Sequence, residues 1–139
     1  MANTYTLISS VTVGSGGAAN IEFTSIPATY TDLLVRVSSR SDTGADNDVF
    51  VYFNNDTTAA NYSFRNLQGI GTNVLSGTAS NARWDMAVYS DYTASVFSNN
   101  DIYIPNYTSS NQKSVSYNGT LENNASAGVL RLLAGLWTW

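Results

Sequence analysis

The chain has 139 residues, a formal net charge of −4, 12% charged residues, and neither histidine nor cysteine. Without histidine no side chain titrates near neutrality at its ordinary pKa, and without cysteine there is no thiolate nucleophile, disulfide or soft metal ligand. Six Lys and Arg against ten Asp and Glu leave no basic face for nucleic acid, and no apolar run approaches the length of a membrane-spanning helix.

The expected organisation is one β-sandwich domain over 1–139, long enough to bury a core without staples. Met1 to Thr6 lacks the basic-then-apolar pattern of a signal peptide. Period-2 alternation dominates and helical periodicity is hard to find. Tyr5 to Val13 reads as a first strand, Gly14-Ser15-Gly16-Gly17 as a turn, and Ala19 to Thr24 as the second arm of a hairpin. Pro27, which fixes φ and cannot donate to a ladder, marks a corner. Leu33, Val35 and Val37 then give a strand with one apolar face, and Arg40 to Asp48 a polar loop. Val49 to Phe53 is apolar on both faces, which predicts a central strand or one lying under another subunit. Asn54-Asn55-Asp56 turns the chain.

Tyr62 to Leu67 reads as a strand, and Gln68 to Asn81, rich in Gly, Ser, Thr and Asn, as a long exposed loop. Arg83 to Tyr89 alternates Trp84, Met86 and Val88 against Asp85 and Ala87. Val96 to Ile104 is a strand or two, stopped by Pro105, and Lys113 to Thr120 another. The last apolar run, Ala127 to Trp139, is helical over Val129–Leu133 by composition alone, but Gly128 and Gly135 close to each end and the alternation of Trp137 and Trp139 favour a strand. Eight or nine short strands at this spacing predict an all-β, antiparallel, jelly-roll-like sandwich. Its core is expected to hold Ile21, Phe23, Leu33, Val35, Val37, Val51 and Phe53. The pattern stops at Trp137-Thr138-Trp139 with no polar tail, so either this end is buried in an assembly or the natural chain continues.

Little here carries chemistry. The run Asp42-Thr43-Gly44-Ala45-Asp46-Asn47-Asp48 alternates side-chain oxygens around a glycine, and Asp42, Asp46 and Asp48 are candidate Ca²⁺ ligands. The spacing is not that of an EF-hand and no bidentate Glu follows, so a solvated loop is the favoured reading and no cofactor is expected. Glu22, Asp85, Asp91 and Asp101 are available as a glycosidase pair, but acids on strands of a polar protein read first as surface residues. Trp84, Tyr89 and Tyr92 with neighbouring Asn are a candidate glycan platform, but Trp84 in phase with Met86 and Val88 reads first as core. Phe50, Tyr52 and Trp139 are candidate interface residues, since Tyr and Trp supply large contact area at low entropy cost.

One stretch resembles a known family. Ser10 to Leu33 runs as a strand, the Gly14–Gly17 turn, then Ile21-x-Phe23-x-x-Ile26-Pro27-x-x-Tyr30-x-Asp32-Leu33. This resembles the opening of small virion proteins of tailed bacteriophages, many of them marine or cyanobacterial, and Gly135-Leu136-Trp137 is similar to a second shared feature. The resemblance implies a non-enzymatic capsid decoration (cement) protein on the outer surface of the head, assembled in the host cytoplasm. Its partners would be the major capsid protein or other virion proteins. The two apolar faces of Val49 to Phe53 and the apolar C-terminal run predict a homo-oligomer, for which the resemblance favours a trimer, and neither a nucleic-acid nor a membrane partner is expected. The alternative is a tail or head-fibre module binding host glycans. Such chains continue for one or two strands past Gly-Leu-Trp. Within the motif, Pro27 would set the corner, Tyr30 would drop its ring onto the core, and Asp32 would accept from backbone N–H groups.

Overall fold

The computed structural model describes residues 5–44, 48–86, 92–122 and 128–139, the side chains of 48 and 83–86 excepted. The described residues contain no α-helix. Eight antiparallel strands follow in chain order: β1 (Leu33–Val37), β2 (Asp48–Phe50), β3 (Tyr62–Ile70), β4 (Asn73–Ala79), β5 (Arg83–Met86), β6 (Asn99–Ile104), β7 (Lys113–Leu121) and β8 (Val129–Trp137). Six form one sheet in the order β1-β6-β7-β8-β3-β4, and β2 pairs with β5 in a separate ribbon. The protein is therefore all-β, as the alternation implied. A 3₁₀ turn, Ala59–Asn61, precedes β3.

The chain divides into two compact units, Met1–Tyr30 and Thr31–Trp139. In the first, residues 5–30 contain neither strand nor helix, and every one of them is exposed. The glycine-rich turn is present, closed by Gly17 N–H donating to the Gly14 carbonyl at 3.0 Å, with Gly17 at φ 72°. The hairpin expected over Tyr5–Val13 and Ala19–Thr24 is absent. Ile21, Phe23 and Tyr30, expected in or on the core, are exposed. Alternation specifies which side chains would share a face, but a strand exists only where a second backbone completes its ladder.

In the second unit the sheet has one buried face around β6, β7 and β8. β7 alternates strictly, with Lys113, Val115, Tyr117, Gly119 and Leu121 inward and the residues between them outward. Ile102 and Ile104 of β6 and Leu133 and Trp137 of β8 share that core with Tyr62 and Ala82, and Leu33, Val35, Val51, Phe53 and Phe64 pack against it. Val37 is half-buried at the margin. The Val49–Phe53 stretch differs from expectation. Only 48–50 is strand, it belongs to the ribbon rather than the centre of a sheet, and its inner residues Val51 and Phe53 pack on the core while Phe50 and Tyr52 face outward.

Polar groups inside this layer are paired. Tyr117 Oη donates to Asn100 Oδ1 at 2.6 Å, Asn100 Nδ2 donates to Ser98 Oγ at 2.9 Å, and Ser98 Oγ donates to the Ser39 carbonyl at 3.1 Å. The Tyr117 ring reaches Asn100 by lying across the position where Gly119 has no side chain. Burying such a network is tolerable only because its members satisfy one another. Asp32 does accept a backbone N–H, though from a distant residue, Asn106, at 2.8 Å, and also the Tyr103 hydroxyl at 2.7 Å.

The predicted loop over Gln68–Asn81 is instead a hairpin. β3 and β4 pair in unbroken register from Phe64↔Ala79 to Ile70↔Asn73. Gly71 sits at φ 56°, as the first residue of a two-residue II′ loop requires. β4 is exposed along its length apart from half-buried Ala79.

Candidate functional site

An open cleft of about 470 Å³ lies at the carboxyl end of β8, built by three local features. The first is the turn after Phe53. Asp56 N–H donates to the Phe53 carbonyl at 2.9 Å, with Asn54 and Asn55 at φ 51° and 58°. Two consecutive left-handed residues suit asparagine, whose short amide side chain tolerates that region. The second is β8, which presents Trp137 on its buried face and Trp139 one pleat beyond. The third is the segment 106–113, which brings Tyr107, Ser109 and Lys113 to the rim.

Asp56 organises the cleft. Its carboxylate accepts from Trp137 Nε1 at 2.7 Å, Asn61 Nδ2 at 2.8 Å and the Thr58 backbone N–H at 3.0 Å. These donors, Trp137 foremost, hold its pKa at about 2. Its main-chain carbonyl accepts from Tyr62 Oη at 2.8 Å, and Tyr62 in turn accepts from Phe53 N–H at 3.0 Å. Burial is the main reason the Tyr62 hydroxyl is pushed above its ordinary pKa. Lys113 is buried at the start of β7, and its Nζ donates to the carbonyls of Ser109 and Asn111, both at 2.6 Å, and to Ser109 Oγ at 3.0 Å. The same ammonium lies 5.1 Å from the centre of the Trp139 ring, a cation–π distance.

The Asp56 carboxylate and Lys113 Nζ are each engaged by three partners within the chain. A carboxylate held ionised by three donors has no proton to give at neutral pH, and an ammonium has three N–H groups to donate, which here meet three oxygens. What the cleft presents outward is the ring of Trp139, 56% exposed, with the Asn54 amide nearby. An aromatic face edged by polar groups fits the flat side of a sugar ring or a side chain of another protein.

An aromatic array joins this cleft to a second exposed patch. Phe50 and Tyr52 stack at 6.0 Å, Tyr52 meets Tyr62 edge-on at 5.9 Å, Tyr62 stacks on Trp137 at 6.4 Å, and Trp137 contacts Trp139 at 4.8 Å. The three candidate interface residues thus lie at the two exposed ends of one array, whose middle is core. A further surface lies on the opposite face of the sheet. There Leu67 and Leu132 are direct cross-strand neighbours, and Leu130 and Val74 flank Gly69 on either side; all four leucine and valine side chains are about half exposed or more.

The remaining candidates do not come together among the described residues. Asp42 is exposed, Asp46 and the side chain of Asp48 lie outside the described residues, and no group of three potential ligands clusters among those described. For the glycan platform, Tyr89 and the side chain of Trp84 also lie outside them. Tyr92 is half-buried, and its carbonyl accepts from Arg40 at 2.9 Å. Of the candidate glycosidase acids, Asp101 pairs with Arg36 at 3.2 Å across β1 and β6, Glu22 is exposed, and Asp91 and the side chain of Asp85 are not described. Sequence reasoning passed over Asp56, Asn61 and Lys113. Lys113 did carry a signal, since it is the charged residue in phase with Val115 and Tyr117.

Comparison with protein families, with curated proteins and with solved structures returns no match.

Proposed function

We propose that this chain is a non-enzymatic structural protein of a tailed-phage virion, a capsid decoration protein seated on the outer surface of the head. In this reading it acts as a homo-oligomer, a trimer by resemblance, on a sandwich-like β scaffold. The observation that carries it is the amount of apolar side chain left exposed, in residues 5–30 and on the Leu67–Val74–Leu130–Leu132 face. Contiguous apolar surface of this kind marks protein contact. The motif over Ser10–Leu33 supplies the virion context, and a net charge of −4 suits a position away from packaged DNA. The test is co-sedimentation of purified protein with phage heads lacking it, followed by electron cryomicroscopy. Stoichiometric binding, lost in Leu67→Asp/Leu132→Asp while circular dichroism is unchanged, is the expected result. Heads that take up no protein would reject the reading.

A second reading, a fibre module binding host glycans, is favoured by the Trp139 cleft. Binding on a glycan array that disappears in Trp139→Ala supports it; an array without signal removes it.

A further inference from the structure

The two outer strands of the six-stranded sheet are protected very differently. β1 is short and carries Arg36, paired with Asp101 of its neighbour. β4 has seven residues, no charge, no proline and an unbroken register with β3, and among the described residues it pairs with β3 alone. The outer side of its backbone is a row of donors and acceptors. The devices that usually prevent edge-to-edge pairing, namely charge, proline, a bulge or a short strand, are missing from it.

Another part of the same chain has the complementary property. Residues 5–13 have no charge and no proline, and they place Tyr5, Leu7, Val11 and Val13 on one side of an extended strand. They form no ladder among the described residues, and Leu7 is 81% exposed. The segment is a strand in pattern and lacks only a neighbour.

We infer that residues 5–13 of one copy add as a strand to the free edge of β4 in a second copy. This rests on the homo-oligomer part of the proposed function and gives it a mechanism. Strand addition takes its affinity from main-chain hydrogen bonds and its specificity from alternate side chains. Here Val74 and Leu75, both substantially exposed, gain apolar neighbours from Tyr5, Leu7 and Ile8. A second copy is the occupant because every chain carries both halves of the joint, a nine-residue segment over 5–13 and the seven residues of β4 that it is long enough to span. Both are also uncharged, so a protein of net charge −4 brings no like charges together at the joint. Such an exchange is heterologous, and it closes into a ring when the rotation between copies permits, which accommodates a trimer.

The test uses the full chain. Ile8→Pro/Ser10→Pro removes ladder donors from the exposed segment, and Val74→Lys/Thr78→Lys charges the edge. By sedimentation equilibrium at micromolar concentration the parent chain is expected at a multiple of 15.0 kDa. Each double variant is expected as a monomer with unchanged circular dichroism. Because the chain has no cysteine, disulfide trapping is clean: Leu7→Cys mixed with Val74→Cys is expected to form mixed dimers in preference to like-with-like ones. A monomeric parent, an oligomer that survives both double variants, or trapping without preference for the mixed pair would each overturn the inference. All readouts are made without heads, so a monomer here and a failure to bind heads are separate results.

Discussion

β7 and β4 are strands of the same sheet, and they have opposite surroundings. β7 is buried on every second residue, whereas β4 is exposed on both of its faces. The difference lies in what covers them. The chain through Val51, Phe53 and Ala82 packs on the core that β6, β7 and β8 share with Tyr62 of β3, and Ala82 and Tyr62 are almost completely buried there. Hydrogen bonding separates them as well: among the described residues β7 is laddered on both sides and β4 on one. The inner region is held by packing in addition to its ladder. The outer hairpin is held by its ladder and its II′ turn, which makes it the region free to engage something else.

The largest expected contrast is between Trp137 and Val74. Trp137→Ala removes a buried ring that contacts Phe53, Tyr62 and Trp139 and donates to Asp56. Urea denaturation should show a loss of about 3–5 kcal/mol. Val74→Ala, 77% exposed at the edge, should stay within about 0.5 kcal/mol. Equal losses at the two positions would mean that the outer hairpin is core.

Acid should unfasten the inner region in a defined window. Asp56 is lowered from 3.8 to about 2 in the folded chain, so the stability it contributes is complete above about pH 4 and is lost as pH falls toward 2. Asp32 is also lowered, chiefly by the Tyr103 hydroxyl, and acts with the same sign. Asp56→Asn should flatten the fall in melting temperature between pH 4 and pH 2, leaving the part due to other carboxylates. An unchanged slope would show that the Asp56 cluster does not hold the fold.

Glycines offer a finer probe. A Cβ on Gly119 would overlap the Tyr117 hydroxyl and come within 2.7 Å of Asn100 Oδ1. Gly119→Ala should therefore cost about 1–3 kcal/mol, read from urea midpoints. At Gly77 of β4 the same atom would meet only the Asn66 side chain, with Oδ1 at 2.8 Å, and that amide is free to turn. Gly77→Ala should cost clearly less than Gly119→Ala, and the reverse order would mean that the inner layer has room to yield.

The inner region was largely legible in the sequence. β7 and β8 follow from alternation because a covered face selects apolar residues at every second position, and Trp137 falls on that face. β4 was not legible for the same reason in reverse. With no layer over it, nothing selects period 2, and Asn73-Val74-Leu75-Ser76-Gly77 reads as loop. Residues 5–13 show the opposite error, a clear alternation without a ladder, because sequence pattern does not say where the second backbone comes from. Within the cleft, Trp139 was legible as an exposed aromatic. Asp56 was not, because three donors distant from one another in the chain, or hidden in a loop, give a single carboxylate its role.

The smallest effect separates the regions by sign. Gly69 lies in β3 between Leu130 and Val74, and a Cβ placed on it would meet nothing within 4 Å. Glycine inside a strand is disfavoured by its backbone entropy and by the absence of a side chain to pack, so Gly69→Thr should stabilise the isolated chain by about 0.5–1 kcal/mol in urea. The gain depends on that face being open. On heads, where the proposed contact covers Leu67 and Leu132, the added side chain should stand between the two surfaces and weaken binding. A variant that is more stable in solution and weaker on heads would identify the open face as the one that is used. A variant more stable in both settings would move the contact elsewhere on the protein.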